Sequence, residues 1–330
     1  MNSSHPDIKF GKTGVLLINL GTPDSTSWWD IRKYLKEFLS DRRVIEVNPI
    51  LWKIILNLFI LTFRPSKTAH AYKKIWRRET NESPLLYFTR SQAKKLNNKI
   101  GNDKIIIDFA MRYGNPSIKS KLNFLRKAGC ENIIILPLYP QYAAATTATV
   151  CDEVYRSLMG MRWQPSLQVI PHYESEPTYI EALTKSLKKK LENINWKPDL
   201  IISSYHGIPK KYFDKGDPYH CYCHKTTRLM KEKFNIIDIQ LTFQSRFGPQ
   251  EWLTPYTDKT LENLPKKGIK NLLVMCPGFA SDCVETLEEI NIQGREIFLN
   301  SGGKNFDLIP CLNDSSDHID LFEKLISKYI

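Results

Sequence analysis

Three strand-and-turn segments recur in this chain in a single order, and that repetition limits the fold more than any other feature. Gly14-Val-Leu-Leu-Ile-Asn-Leu20 runs into Gly21-Thr-Pro23, and Leu200-Ile-Ile-Ser-Ser-Tyr-His206 runs into Gly207-Ile-Pro209. Ile105 to Met111 ends in Arg112-Tyr113-Gly114, and Ile237 to Ser245 ends in Arg246-Phe247-Gly248. Lys127-Ala-Gly-Cys-Glu-Asn132 leads into Ile133-Ile-Ile-Leu-Pro137, and Lys267-Gly-Ile-Lys-Asn271 leads into Leu272-Leu-Val-Met-Cys-Pro277. Short apolar runs closed by turn residues read as buried strands. Ile118 to Ala128, Tyr179 to Leu191 and Asp282 to Ile290 carry apolar residues at helical spacing between them. Alternating strands and helices predict parallel sheets. The expectation is an α/β protein of two similar doubly wound, Rossmann-like parallel-sheet domains with a cleft between them.

The copies differ in length. Leu16 to Ile133 spans 117 positions and Ile201 to Leu272 spans 71, so the first copy carries about 46 extra residues, most simply within 44–89. The extra segment holds the strongly apolar stretch Pro49 to Phe63, then Arg64-Pro65 and the basic Lys73-Lys74-Ile-Trp-Arg-Arg78. A spanning helix needs about 20 apolar residues. This stretch is shorter, holds Lys53 and Asn57 and has basic flanks, so it reads as an interfacial or core helix. Such a segment caps the cleft mouth, lies on a bilayer surface, or is a core helix beside a solvated charge run. The expected boundaries are 10–160 for the first domain with its insertion at 44–89, 161–312 for the second, and 313–330 for a C-terminal helix packing back on the first.

The net charge is +12, with lysines scattered through the chain and not massed in a tail. No helix-turn-helix, zinc-finger or RNA-binding motif accompanies them, so no nucleic-acid partner is expected. Anionic lipid or an anionic small molecule suits the same charge. Seven cysteines, an odd number, with no signal peptide at the N-terminus point to a reducing cytoplasm. No P-loop occurs and no G-x-G-x-x-G follows the first strand, so the sheets are not expected to bind nucleotides.

In open α/β sheets the ligand crevice lies beyond the carboxyl ends of the strands. His206, at such an end, is therefore offered to the cleft. Glu285 and Glu289 lie four apart on the helix expected after Pro277, hence on one face, with Glu288 pointing elsewhere. A histidine and a carboxylate converging there suit divalent metal binding or proton transfer. The plainer readings are a hydrogen-bonded strand-end histidine and a glutamate complementing a helix dipole. Lys215-Gly-Asp-Pro-Tyr-His-Cys-Tyr-Cys-His224 holds His220, Cys221, Cys223 and His224 within five positions, which reads either as a metal site or as a surface loop of soft side chains. Its C-x-C has no partner pair at zinc-site spacing. Tyr113, Tyr139, Tyr142, Phe247, Trp252 and Phe279 sit at or past strand ends, where they pack the core or wall a large flat ligand. Arg112 and Arg246 are placed to pair with ligand carboxylates.

Joined in order, these segments resemble the ferrochelatase family, from about residue 13 to 313. The motifs are Leu17-Ile-Asn-Leu-Gly-Thr-Pro23, Phe109-Ala-Met-Arg-Tyr-Gly114, Leu138-Tyr-Pro-Gln-Tyr142, Ser204-Tyr-His-Gly-Ile-Pro209 with Gly216-Asp-Pro-Tyr219, Thr242-Phe-Gln-Ser-Arg-Phe-Gly248, and Gly278-Phe-Ala-Ser-Asp-Cys-Val-Glu-Thr-Leu287. The resemblance implies two doubly wound domains around a porphyrin cleft, with the insertion as a lip that touches the bilayer in membrane-associated members. It implies insertion of Fe²⁺, as substrate, into protoporphyrin IX to give haem. His206 matches the metal-binding and proton-accepting histidine, and Glu285 its partner carboxylate. Leu20 and Tyr113 match residues lining the macrocycle, and Arg64 and Arg112 match propionate contacts. Tyr139 and Phe279 join the porphyrin-binding set, and Asp282 and Glu289 the proton or metal path.

Two departures stand out. Cys283 occupies a position where many members carry His. Some members hold a [2Fe-2S] cluster; here Cys221 and Cys223, with Cys151, are the candidate ligands, one short of the usual four thiolates. The other readings are a haem or porphyrin carrier without catalysis, and a chelatase for another tetrapyrrole such as coproporphyrin or for another metal. Monomer and homodimer both stay open, and the expected location is the cytoplasm, peripherally on the membrane through 49–63.

Overall fold

The structure, a computed structural model, describes residues 9–330. It contains two four-stranded parallel sheets, and the second repeats the strand order of the first. In the first lobe β1 (Lys12–Thr22) lies between β2 (Ile105–Gly114) and β3 (Cys130–Pro137), and β3 carries the edge strand β4 (Ser166–Val169). In the second, β5 (Leu200–His206) lies between β6 (Ile239–Gln244) and β7 (Asn271–Met275), with β8 (Asn305–Leu308) at the edge beside β7. The three matched segments of the sequence are thus β1/β5, β2/β6 and β3/β7. The fourth pair, β4 and β8, has only four residues per strand, and its partly exposed, alternating faces give no apolar run to read.

The central strands are apolar throughout because both faces are covered. Val15, Leu16, Leu17 and Ile18 are all fully buried, as are Ile201 and Ile202. Val15 and Leu17 of the first sheet and Ile201 and Met275 of the second belong to one continuous core. Tyr179, Leu183 and Leu187 of helix Pro177–Glu192 and Phe322 of helix Ser316–Ile326 fill the seam. The C-terminal helix packs against both Pro84–Ile100 and Pro177–Glu192. The Tyr179 hydroxyl reaches across it to the Pro277 carbonyl.

The connections explain the unequal lengths. Between β5 and β6 stand Lys210–Asp214 and Tyr219–Phe234. Between β1 and β2 stand Trp28–Leu39, Pro49–Ile55, a π-turn at Leu56–Ile60, Leu61–Ile75 and Pro84–Ile100. Helix Pro84–Ile100 packs on β1 and β2, so residues 84–89 of the segment 44–89 are its first turns. Ser83 caps it through Leu86 N at 3.2 Å, and Pro84 suits its first position. The outer helices form the lip, whose Ile50, Leu51, Ile54, Leu58, Phe59 and Phe63 are exposed. No helix among the described residues is long and apolar enough to cross a membrane.

Two local readings change. The stretch Lys215 to His224 is not all loop, because helix Tyr219–Phe234 starts inside it. Its buried Tyr219, Cys223, Thr226, Thr227 and Met230 already follow helical spacing. The expected helix Asp282 to Ile290 is instead a ten-residue π-helix, Glu285–Gly294, continued by the α-helix Arg295–Asn300. Long π segments are rare and concentrate at functional sites, and no residue pattern announces them.

Candidate active site

The carboxyl ends of β1 and β5 open on one cleft of about 460 Å³, lined by both lobes, the lip and the π-helix. That volume lies within the ~300–1,000 Å³ of small-molecule sites. From the first lobe come Leu20 and Tyr139; from the lip, Arg64 and Lys67; from the second lobe, His206, Arg246, Trp252, Phe279, Cys283 and Glu285. Gly21 lets β1 end there. Its φ is +114°, and a Cβ would lie 1.8 Å from the Tyr113 carbonyl oxygen, so only glycine lets the paired strands approach.

His206 is the last residue of β5, paired in register with Gln244 of β6. Its Nδ1 lies 2.7 Å from the Gly207 carbonyl. A carbonyl only accepts, so Nδ1 carries a proton, and in the neutral imidazole Nε2 is then the nitrogen with the lone pair. Nε2 makes no hydrogen bond among the described residues and is the free basic atom of the cleft.

Facing it, the π-helix brings Glu285, Glu288, Glu289 and Gln293 to the cleft wall. Burial pushes the Glu289 carboxyl above the usual carboxylate range, the neighbouring Glu285 charge adds to this, and the Ser245 hydrogen bonds and His206 oppose it. Glu288, expected to point elsewhere, also lines the cleft. Lys74 of the lip donates to it at 2.9 Å and Gln293 at 2.7 Å. Cys283 is 3% exposed, and burial with the adjacent Glu285 carboxylate holds its thiol well above the ordinary value, so it stands protonated.

Arg64 is a cleft cation left uncompensated among the described residues. Its Nη1 is buried without a hydrogen-bond partner among them, and its guanidinium stacks on Phe247 at 4.3 Å. Burial lowers its proton affinity. An orphaned donor of this kind calls for an acceptor from a ligand. The Tyr139 hydroxyl is likewise buried without a partner among the described residues, and burial pushes its proton affinity up. Arg246 stacks on Tyr256 at 4.1 Å and pairs with Asp258.

The ferrochelatase family model matches residues 12–330. The chain belongs to the ferrochelatase family. It is 53% identical over 329 residues to a ferrochelatase of Allorhizobium ampelinum, covering 99% of this chain and 96% of that protein. It is 52% identical over 326 residues to a ferrochelatase of Francisella tularensis subsp. novicida, covering 98% and 97%. Among solved structures, SirB from Bacillus subtilis with Fe³⁺ superposes with a TM-score of 0.59 at 11% identity, covering 96% of this chain and 95% of that one, a likeness of fold. The protein is thus an enzyme that inserts metal into a porphyrin in haem biosynthesis.

In this ferrochelatase the residues picked from the sequence divide. His206, Glu285, Glu289, Leu20, Arg64, Tyr139 and Phe279 line one cleft. Arg112 and Tyr113 do not. Arg112 donates to Asp41 at 2.5 Å and to the Thr149 hydroxyl at 2.6 Å, and the Tyr113 hydroxyl donates to Asp41 at 2.8 Å. They lock the base of the lip to the first sheet, and neither belongs to the cleft lining. Asp282 also faces away: it accepts from Thr286 at 3.0 Å, from Cys311 N at 3.2 Å and from Asn313 at 2.7 Å. It anchors the helix start to the segment before the C-terminal helix.

The cysteines considered for a [2Fe-2S] cluster do not converge. Cys221 is exposed and Cys223 is buried, because positions two apart on a helix leave on different faces. Cys151 lies in helix Thr149–Met159 of the other lobe, beside Tyr155 and Asp152. Among the described residues no group of three or more His, Cys, Asp or Glu could hold a metal ion. These positions do not fit a cluster.

Proposed function

We propose that the enzyme inserts Fe²⁺ into protoporphyrin IX with release of two protons, the last step of haem biosynthesis. The observation that carries this reading is a basic imidazole nitrogen and a carboxylate-bearing π-helix lining one cleft with apolar walls and an orphaned arginine. A flat macrocycle would fill the space between Leu20, Tyr139, Trp252 and Phe279, and a propionate would satisfy Arg64.

The chemistry asks two things of the site. A planar porphyrin hides its nitrogen lone pairs, so part of the binding energy goes into bending the ring toward the reacting shape. Leu20 on one side and the second lobe on the other are the surfaces for that pressure. The two pyrrole protons then need an acceptor. Neutral His206 takes one at Nε2 or presents Fe²⁺, and Glu285 is the anionic partner. Glu289 and Glu288 continue the carboxylate line from Glu285 along the π-helix. With its proton affinity raised, Glu289 is suited to accept a proton and pass it on.

The exposed lip side chains with Lys53 and Lys67 near them support peripheral contact with anionic lipid on a cytoplasmic face. Co-sedimentation with anionic liposomes, lost in Phe59→Ser/Phe63→Ser, checks it.

Anaerobic incubation with protoporphyrin IX and Fe²⁺, followed by the haem absorbance, tests the reaction. A carrier would bind haem without forming it. Faster turnover of coproporphyrin than of protoporphyrin in competition would replace the substrate assigned here.

A further inference from the structure

Between His206 and the π-helix carboxylates stands one buried residue that touches both. We propose that Gln244 is the positioning residue holding His206 and the Glu285–Glu289 face in one fixed relation. The inference rests on the roles proposed above for those three side chains.

Gln244 is the last residue of β6 and is 3% exposed. Its main chain serves the histidine. Its carbonyl accepts from Gly207 N at 2.7 Å, and the Gly207 carbonyl in turn takes the His206 Nδ1 proton. The residue whose carbonyl faces Nδ1 is therefore held through its own N–H by Gln244. The contact is close: a Cβ on Gly207 would lie 2.9 Å from that same Gln244 oxygen.

Its side chain serves the helix. Nε2 donates to the Glu285 carbonyl at 2.9 Å and to the Glu289 carboxylate at 3.3 Å. A first-turn carbonyl is free of the shortage that leaves the last-turn carbonyls of a helix unpaired, so this bond adds a donor to the Glu285 carbonyl and ties the start of the π-helix to β6. Oε1 accepts from the Ser204 hydroxyl at 2.7 Å. Beyond Ser204 lie the Thr257 hydroxyl at 3.0 Å and, from it, Thr242 at 2.8 Å, all buried. A flipped amide would set Oε1 against the Glu285 carbonyl and the Glu289 carboxylate, both acceptors, so with the Ser204 hydroxyl on Oε1 its two protons stay aimed at the π-helix.

The next residue strengthens the grip. Ser245 has φ +67°, in the left-handed region that non-glycine residues avoid. That turn points its N–H at one Glu289 oxygen, 2.8 Å away, and its hydroxyl at the other, 2.5 Å away. Backbone strain held at such a point is a sign of a constrained functional position. Gln244 and Ser245 together fix both Glu289 oxygens, with a donor budget of three.

The test uses the full-length chain, with protoporphyrin IX and Fe²⁺ for turnover and porphyrin fluorescence quenching for binding. Gln244→Leu keeps the strand pairing but strips Glu285 O and Glu289 of a donor. Its kcat is expected to fall about tenfold to a hundredfold, with porphyrin affinity unchanged within about twofold. Combining it with Glu289→Gln should cost less than the product of the two single losses, since they act on one unit. Wild-type kcat in Gln244→Leu, or full additivity with Glu289→Gln, overturns the proposal. Ser204→Ala is the second variant, should Gln244→Leu fail to fold. It takes the donor from Oε1 without touching the helix, and a loss of about threefold to tenfold in kcat is expected; no loss counts against the strut. Wild-type turnover by Glu289→Gln would instead remove Glu289 from the proton path. Gln244 would then be judged by its own variant, through Glu285 and His206.

Discussion

Two strand ends related by the repeat meet across the cleft, and they have opposite characters. β1 ends in Leu20-Gly21-Thr22, and β5 ends in His206 with Gly207 next. The next pair diverges too. Near the end of β2, Arg112 is locked to Asp41, with their side chains 9% and 10% exposed; just past β6, Arg246 lines the cleft and its pair with Asp258 is half open to solvent. On the function proposed above, the first copy gives the lip, the wall at Leu20 and Tyr139 and an anchoring cation, and the second gives the base, the carboxylates and their positioning residues beside the walls Trp252 and Phe279. That reading assigns one lobe mainly to binding and the other mainly to chemistry.

The sharpest way to break that division is to cut each strand end in turn. His206→Ala removes the free imidazole nitrogen, and turnover should fall by about 10²–10⁴-fold, the usual weight of a proton-transfer group. Porphyrin binding should survive, read by fluorescence quenching. Leu20→Ala should do the reverse, weakening porphyrin affinity more than kcat. Equal kinetic effects at both ends would erase the contrast.

The two arginines come next. Arg112→Ala strands a buried Asp41 carboxylate. Burial pushes that carboxyl up, but the Thr149 hydroxyl, Arg43 N–H and Arg112 outweigh it, and it stays below its ordinary range. Breaking a buried pair costs about 3–5 kcal/mol. A large fall in the denaturation midpoint is expected, with little change in the KM of any surviving protein. Arg246→Ala, on an exposed pair, should cost under about 1 kcal/mol of stability and raise the porphyrin KM. Because Asp41 sits low when folded, its contribution is present above pH ~4 and is lost as pH falls below that.

The seam between the lobes titrates as well. His318 is buried, its Nδ1–H donates to the Asn313 carbonyl at 2.7 Å, and burial pushes it down to about 4. That same carbonyl accepts from Gln92 of the first lobe at 2.8 Å, and the Asn313 side chain holds Asp282 of the second. The folded value lies below the unfolded one of about 6.5, so the unfolded chain takes up the proton first. Stability is complete above pH ~6.5 and falls as pH drops toward 4, by about 1–3 kcal/mol. Urea denaturation at pH 7 and pH 5 checks this; His318→Phe should flatten the difference. If it does not, the acid sensitivity lies elsewhere than the seam.

How much of this could be read beforehand follows from what patterns record. Apolar runs and turns record burial on both faces, so β1, β2, β3 and their twins were legible, while the four-residue edges β4 and β8 were not. Motif order records the cleft ends, so His206, Leu20 and Glu285 stood out. Side-chain direction at a strand end is settled by what packs against it. Arg112 was read as a ligand contact because nothing in its neighbours names Asp41, 71 positions away. Cys221 and Cys223 looked paired because spacing in a supposed loop carries no face, whereas the helix gives them opposite ones. Gln244 was passed over inside a motif because a buried amide has no pattern; its meaning lies in three contacts from distant segments.

The smallest effect tests a thiol of the cleft wall. Cys283 stands beside Glu285, and histidine is the residue that the family resemblance leads one to expect there. Thiolates favour soft ions, and imidazole suits borderline ones. The thiol is held protonated by burial and by Glu285, so binding a soft ion must expel its proton, and that becomes easier as pH rises. Cd²⁺ should therefore inhibit this enzyme more at pH 8.5 than at pH 7. Cys283→His should weaken that inhibition by about tenfold, the low end for loss of a group near a metal. Fe²⁺ turnover should stay within a few-fold, because His206 and Glu285 are untouched. Cd²⁺ inhibition that is equal in wild type and Cys283→His, or independent of pH, would mean that the thiol packs the wall and the division of labour ends at Glu285.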